Sequence, residues 1–351
     1  MKKTTPANFR GSSLNTLAQS ETTPYQKPAV IIQGRGSQLG NGDAMKARAK
    51  RKLLSEMLAL HLVDMAARMD DPEMVQAYWN TYHCQKAVYS QDGKLYGKYC
   101  KNRNCSLCNS IRKAVLINKY YPVLIQWPDP CFVTLTVKAC SARNLRELMK
   151  TVMKHFTSIT AKYRKQNQRG KDLKLIGVRS LECCFNPYAR TYNPHVHLIV
   201  ATEEMARIIK QDWRQKWPRG WANEKAQNHR KLCNLEVDLI ETIKYGAKII
   251  DDLDSTRKKK RSNNPTIYAA ALHNIFVAMK GIRLFERFGF DLPKSNPCLI
   301  PARVTNDYNE WVFTAEQHDW VSADSDDVLS SFQPKPGLMN LLDNNIDTMN
   351  E

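Results

Sequence analysis

Two spatial periods run through the chain. In CFVTLTVK (131–138), Cys131, Val133, Leu135 and Val137 alternate with Phe132, Thr134, Thr136 and Lys138. A period of two assigns one set to each face of a β-strand. HVHLIV repeats the pattern, with His195 and His197 on one face and Val196, Leu198 and Val200 on the other. Upstream, LIGVRSLECCF reads as a partner strand, and the Asn- and Pro-rich connection between them predicts an antiparallel hairpin. On that hairpin Glu182 can face both histidines. LEVDL (235–239) alternates too and predicts a further strand.

Other stretches carry the helical period. After Ser141, a predicted cap, Leu145, Leu148, Val152, Phe156, Ile159 and Tyr163 recur at spacings of three and four. Residues 44–69 combine strong helix formers with a basic first half and an apolar second half. Thr202 with Glu203 and Glu204 opens another helix, and IYAAALHNIFVAM (267–279) reads as a buried one. In IETIKYGAKII a helix would put Ile240, Ile243, Ala247 and Ile250 on one stripe and Glu241, Tyr245 and Lys248 on the next. Strands and helices mix without a regular βαβ repeat, which predicts an α+β fold on an antiparallel sheet. Residues 1–43, rich in Ser, Thr, Gly, Pro and Gln, read as a flexible arm.

Charge then narrows the function. The 351 residues carry a net charge of +19, and 42% of them are hydrophobic, enough for a sizeable core and about two domains. Residues 301–351 hold two basic and ten acidic side chains, so residues 1–300 carry +27. Such a body favours a polyanionic partner over neutral metabolites, the plainer alternative being a basic surface that aids solubility. The N-terminal lysines are followed by no apolar run, and the longest apolar segment is too short to span a bilayer. A cytoplasmic, reducing setting without a membrane partner follows, in which clustered cysteines hold metal more often than they form disulfides.

Cys84, Cys100, Cys105 and Cys108 are spaced C-x15-C-x4-C-x2-C. Two thiolates from a tight turn and two from a distance complete a tetrahedral shell with no open position, a structural Zn2+ site. His83 could stand in for Cys84. Lys98, Tyr99, Lys101, Arg103, Arg112 and Lys113 lie among or beside these ligands and suit phosphate contact and base stacking. His195 and His197 can share one divalent ion, and Glu182 supplies the oxygen that Mg2+ or Mn2+ prefers. A tyrosine beside such an ion can attack a phosphodiester, with a lysine stabilising the developing charge. Taken alone, Glu241, Tyr245 and Lys248 also fit a half-buried tyrosine flanked by a surface ion pair.

FVTLTVK, NPHVHLIV and ETIKYGAK resemble, in order, the three motifs of the rolling-circle replication initiators of small bacterial plasmids, members of the HUH endonuclease superfamily. YCKNRNCSLCNSIRKA resembles the cysteine-rich segment that precedes those motifs in one plasmid Rep family, and GIRLFERFGF also looks familial. The resemblance covers roughly residues 80–290. It implies a five-stranded antiparallel sheet with the histidines central, flanked by helices and preceded by a small zinc-binding module. It also implies a nick in single-stranded origin DNA through a 5′-phosphotyrosine. In this reading His195, His197 and Glu182 hold the catalytic ion, Tyr245 is the nucleophile, Lys248 fills the Y-x-x-K position, and Glu241 activates the terminating water.

The resulting organisation is a flexible arm (1–43), a basic helix with the cysteine module (44–125), an HUH endonuclease domain (126–295) and an acidic C-terminal tail (296–351). The expected function is a plasmid replication initiator acting on origin DNA with host helicase and replication machinery. An HUH transposase of a single-stranded element, a non-catalytic zinc-containing DNA-binding protein and a single-strand or RNA-binding protein are the alternatives.

Overall fold

The computed structural model describes residues 30–32, 37–171, 173–243, 265–293, 302–304 and 307–335. The helices are α1 (Gly42–Arg68), α2 (Pro72–Tyr82), α3 (Ser106–Leu124), α4 (Ala142–Gln168), α5 (Glu203–Lys216), α6 (Leu235–Thr242) and α7 (Pro265–Met279). The strands are β1 (Val30–Ile32), β2 (Ser37–Gln38), β3 (Ala87–Gln91), β4 (Lys94–Gly97), β5 (Cys131–Thr136), β6 (Gly177–Asn186), β7 (Thr191–Val200), β8 (Asn228–Lys231), β9 (Phe285–Phe288), β10 (Ala302–Val304), β11 (Asn309–Thr314) and β12 (Asp319–Ser322).

Among the described residues these strands build two five-stranded sheets and the β1–β10 pair, all antiparallel, within a mixed α+β fold. One sheet has the order β8-β5-β7-β6-β9 and carries the histidine strand β7 at its centre. The β6–β7 hairpin turns at Asn186, whose side-chain oxygen accepts from the Tyr188 and Ala189 amides at 3.0 and 3.1 Å. This Asx turn fixes a register in which Glu182 stands opposite His195 and Ser180 opposite His197. A slip of one residue would carry both imidazoles to the opposite face. Val133, Leu135, Val196 and Leu198 occupy that opposite face and are wholly buried. Helix α4 packs on β7 with its stripe of Leu145, Leu148, Val152, Phe156 and Ile159. Ser141 adopts the extended N-cap conformation without a capping bond from its side chain, so the apolar stripe sustains this helix.

LEVDL is helical, against the strand that its alternation predicts: it opens α6. Five alternating residues fit either period, and two features decide. The Asn234 side chain caps the Val237 amide at 3.1 Å, and Leu239 and Ile243, four apart, are buried together. The edge strand in this region is β8, seven residues earlier in the chain.

The other sheet has the order β12-β11-β3-β4-β2. Part of the acidic C-terminal segment is therefore integral to the module that begins at Cys84. The Phe313 amide donates to Lys86 O and the Trp320 indole to Gln85 O, both at 2.8 Å. Under this sheet the fully buried Lys52 of α1 donates to Tyr82 O at 2.6 Å and pairs with Glu56 at 3.6 Å. The β2 strand likewise falls within the predicted N-terminal arm and pairs with β4.

Candidate functional site

Register and parity gather a polar group on one face of the histidine sheet. Thr136, His195 and Glu182 form one row across β5, β7 and β6; Thr134, His197 and Ser180 form the next. The Nε2 atoms of His195 and His197 each lie 3.5 Å from the same Glu182 oxygen, Oε2. Both imidazoles and the carboxylate are more than nine-tenths buried. Two ligand atoms held about 2.1 Å from one ion stand about 3.0 to 3.5 Å apart at octahedral to tetrahedral angles. The three side chains therefore fit a shared divalent cation.

Two further features fit the same ion. His197 Nε2 and Glu182 Oε1 are buried without a hydrogen-bond partner, a costly state that a cation would relieve. The outer nitrogens are held from behind: His195 Nδ1 lies 3.1 Å from Asn193 O, and His197 Nδ1 lies 3.2 Å from Thr134 Oγ1. A carbonyl can only accept, so the His195 proton sits on Nδ1 and the Nε2 lone pair faces Glu182. Burial acts to raise the Glu182 carboxyl, and the two imidazoles, each 3.5 Å away, act against it, the balance holding the group below the ordinary carboxylate range.

Behind these ligands stand residues, Asn193 and Gln227 among them, that sequence patterning did not single out. Thr136 Oγ1 donates to Asn193 Oδ1 at 2.9 Å, which fixes the residue that orients His195. Gln227 accepts from Thr136 N at 2.8 Å and donates to Thr136 O at 3.0 Å, pinning the end of β5. Phe132 lies 5.2 Å from the His197 ring, and the Arg230 guanidinium lies over the Phe132 ring at 4.9 Å. Parity from the histidines would have located Asn193. Nothing local signals Gln227 or Arg230, which reach the site through tertiary contacts.

Glu241 lies in the last turn of α6, a helix that packs on β7. Tyr245 and Lys248, the predicted nucleophile and its lysine, lie outside the described residues.

A second cluster gathers Cys84, Cys100, Cys105 and Cys108, whose sulfurs all lie within 4.8 Å of one another. Cys100 and Cys84 stand 3.6 and 3.7 Å from Cys108. Tetrahedral sulfurs at a Zn–S distance of about 2.3 Å are about 3.8 Å apart, so the spacing suits zinc. The x2 spacing has a local cause: Cys105 is the N-cap of α3 and Cys108 sits in its first turn, with its amide 3.5 Å from Cys105 Sγ. The Cys100 and Lys101 amides donate to Cys84 and Cys108 sulfur at 3.4 and 3.2 Å, an environment that favours thiolates. Hydrogen bonding with Cys105 is the largest influence holding the Cys100 thiol low. Cys84 enters this group, whereas His83 stacks on Trp79.

Over 189 residues the chain is 28% identical to the protein named Protein rep of Streptococcus pneumoniae serotype 2 (strain D39 / NCTC 7466). The alignment covers 48% of this chain and 55% of that protein, so the chain spans about half the length of the curated relative it matches. No family model matches the chain, and no solved structure matches it. Among the described residues no helix is long and apolar enough to cross a membrane.

Proposed function

We propose that this protein is a rolling-circle replication initiator that nicks one strand of plasmid origin DNA and keeps the 5′ end as a phosphotyrosine. The observation that carries the reading is the His195–His197–Glu182 group with its orphaned ligand atoms, the histidines on the central strand β7 of a five-stranded antiparallel sheet and the glutamate on its neighbour β6. The similarity to a protein named Protein rep supports it, as does the basic body of the chain.

In this reading His195, His197 and Glu182 would hold a Mg2+ or Mn2+ ion, which would supply Lewis-acid polarisation of the scissile phosphate. Tyr245 supplies the nucleophile: its phenolic oxygen bonds to phosphorus, the bond from phosphorus to the 3′ oxygen breaks, and the departing oxygen takes up a proton to become a 3′-hydroxyl primer. Lys248 stabilises the charge on the phosphate or leaving group. Glu241, four residues before Tyr245 in sequence, takes the proton of the water that releases the product at termination. The four cysteines hold Zn2+ as a structural element, and α3 carries Arg112 and Lys113 onward from it toward DNA.

A labelled single-stranded oligonucleotide carrying the plasmid origin, incubated with the full chain and Mn2+, should yield an adduct that survives denaturation. Absence of the adduct with Mn2+ and with Mg2+ overturns the reading.

A further inference from the structure

Helix α5 and the loop that follows it (217–227) border a cleft of about 990 Å³ that none of the cysteine-cluster or histidine-cluster residues lines. Arg207, Lys210, Arg214 and Arg219 line it against one carboxylate, Glu224. The opposing pair Arg214–Glu224, at 3.2 Å, is exposed on both sides, so water screens it and an incoming phosphate can replace the carboxylate. Arg219, at the loop tip, has no acidic partner among the described residues. Trp217 also lines it, with its indole nitrogen buried and unpartnered. Trp221 lies parallel to Trp217, tilted by 8° at 6.0 Å, and stays 39% exposed. Trp221 follows the lining residue Gly220 and precedes the lining residue Ala222 in sequence, which brings a braced aromatic ring to the edge of a cationic cleft, a combination that holds unpaired bases and their phosphates.

The cleft is also tied to the histidine row. Trp221 O accepts the Lys138 amide at 2.8 Å, and Gln227 holds both backbone groups of Thr136, the residue opposite His195. From within α5 the wholly buried Trp213 indole donates to Thr136 O at 3.2 Å. The loop that bounds the cleft is thus fixed to the end of β5, where Thr136 stands opposite His195.

We infer that the α5 cleft is a second nucleic-acid site, which binds the phosphates of single-stranded DNA beside the reacting segment and stacks a base on Trp221. The inference rests on the proposed nicking function for the identity of the strand, and its own chemistry is phosphate and base recognition.

The test measures binding of the full chain to a fluorescent mixed-sequence single strand in EDTA, where cleavage cannot occur, across a salt series. Arg214→Ala/Arg219→Ala should weaken binding at least tenfold and flatten the slope of log K against log salt by roughly 1.4, two phosphates at about 0.7 each. Trp221→Ala should weaken it roughly fivefold or more, the lower bound for losing a stacked base. The charge-matched variant Arg169→Ala/Lys171→Ala, at the exposed end of α4, should bind as wild type, and circular dichroism should show all three variants folded. Photocrosslinking of bromodeoxyuridine DNA should mark the peptide holding Trp221 in wild type. Equal losses in the cleft and control variants, or a loss confined to duplex DNA, overturns the inference. Adduct formation separates the two readings: a wild type that makes the adduct but binds independently of Arg214 and Arg219 defeats only the cleft. Binding that depends on them without any adduct defeats only the nicking function.

Discussion

Arg230 of β8 reaches across the Phe132 ring and pairs in bidentate fashion with Asp238 of α6, its Nη1 donating to Oδ2 at 3.0 Å. Asp238 is buried while the arginine is about half exposed, so the pair pins α6 to the edge of the histidine sheet. Arg230→Ala leaves a buried carboxylate unpaired. Discounted for the exposed partner, the loss should be about 1–2 kcal/mol of stability. If α6 carries the reactive segment, adduct formation should slow while metal affinity stays unchanged, as measured by single-turnover kinetics and metal titration.

Thr134→Val removes the hydroxyl behind His197 without changing side-chain volume much. Loss of an outer-shell partner should lower Mn2+ affinity about 10- to 100-fold, seen as a shifted metal titration by calorimetry, with little change in melting temperature. His197→Ala should abolish nicking and leave duplex binding nearly intact.

Tyr245→Phe should eliminate the covalent adduct. Glu241→Ala should still nick but accumulate multimeric replication products, because release by water fails. Gel analysis of plasmid products distinguishes these outcomes. An adduct from Tyr245→Phe would assign the nucleophile to another tyrosine.

Cys108→Ser should cost one zinc per chain by elemental analysis and lower the melting temperature on the order of 10 °C, since a structural site contributes folding energy directly. Deletion of residues 301–351 should destabilise the same module, because β11 pairs with β3, the strand that follows Cys84, and β12 pairs with β11. A truncated chain that melts like wild type would contradict this.

His273 is buried on α7, where Nδ1 meets the Tyr78 hydroxyl at 3.0 Å. Burial lowers its pKa below the ordinary histidine value, with Asp71 acting weakly in the other direction. The unfolded chain therefore binds the extra proton first. Stability should be at its plateau above about pH 6.5 and fall as pH drops below that value toward the folded pKa. Thermal melts between pH 5 and 7 should show a shallower slope for His273→Asn, with His61 and His155, also lowered chiefly by burial, supplying the rest.

Local pattern determined a good part of this molecule. A period of two in HVHLIV dictates that both imidazoles share a face, and an Asn- and Pro-rich turn dictates an antiparallel return, so the meeting of Glu182 with both histidines was legible from the residues alone. The C-x2-C spacing was equally local, because one helix N-terminus creates it. Tertiary structure decided the rest. LEVDL satisfies both periods over five residues, and only the Asn234 cap and the burial of Leu239 with Ile243 select the helix. The acidic C-terminal segment looked like a tail because composition reports charge, whereas Phe313 and Trp320 find backbone partners more than 200 positions earlier in the chain. Gln227 and Arg230 acquire their roles the same way. Pairings at such sequence separation depend on the packed core bringing distant strands together, and no local window of residues encodes that.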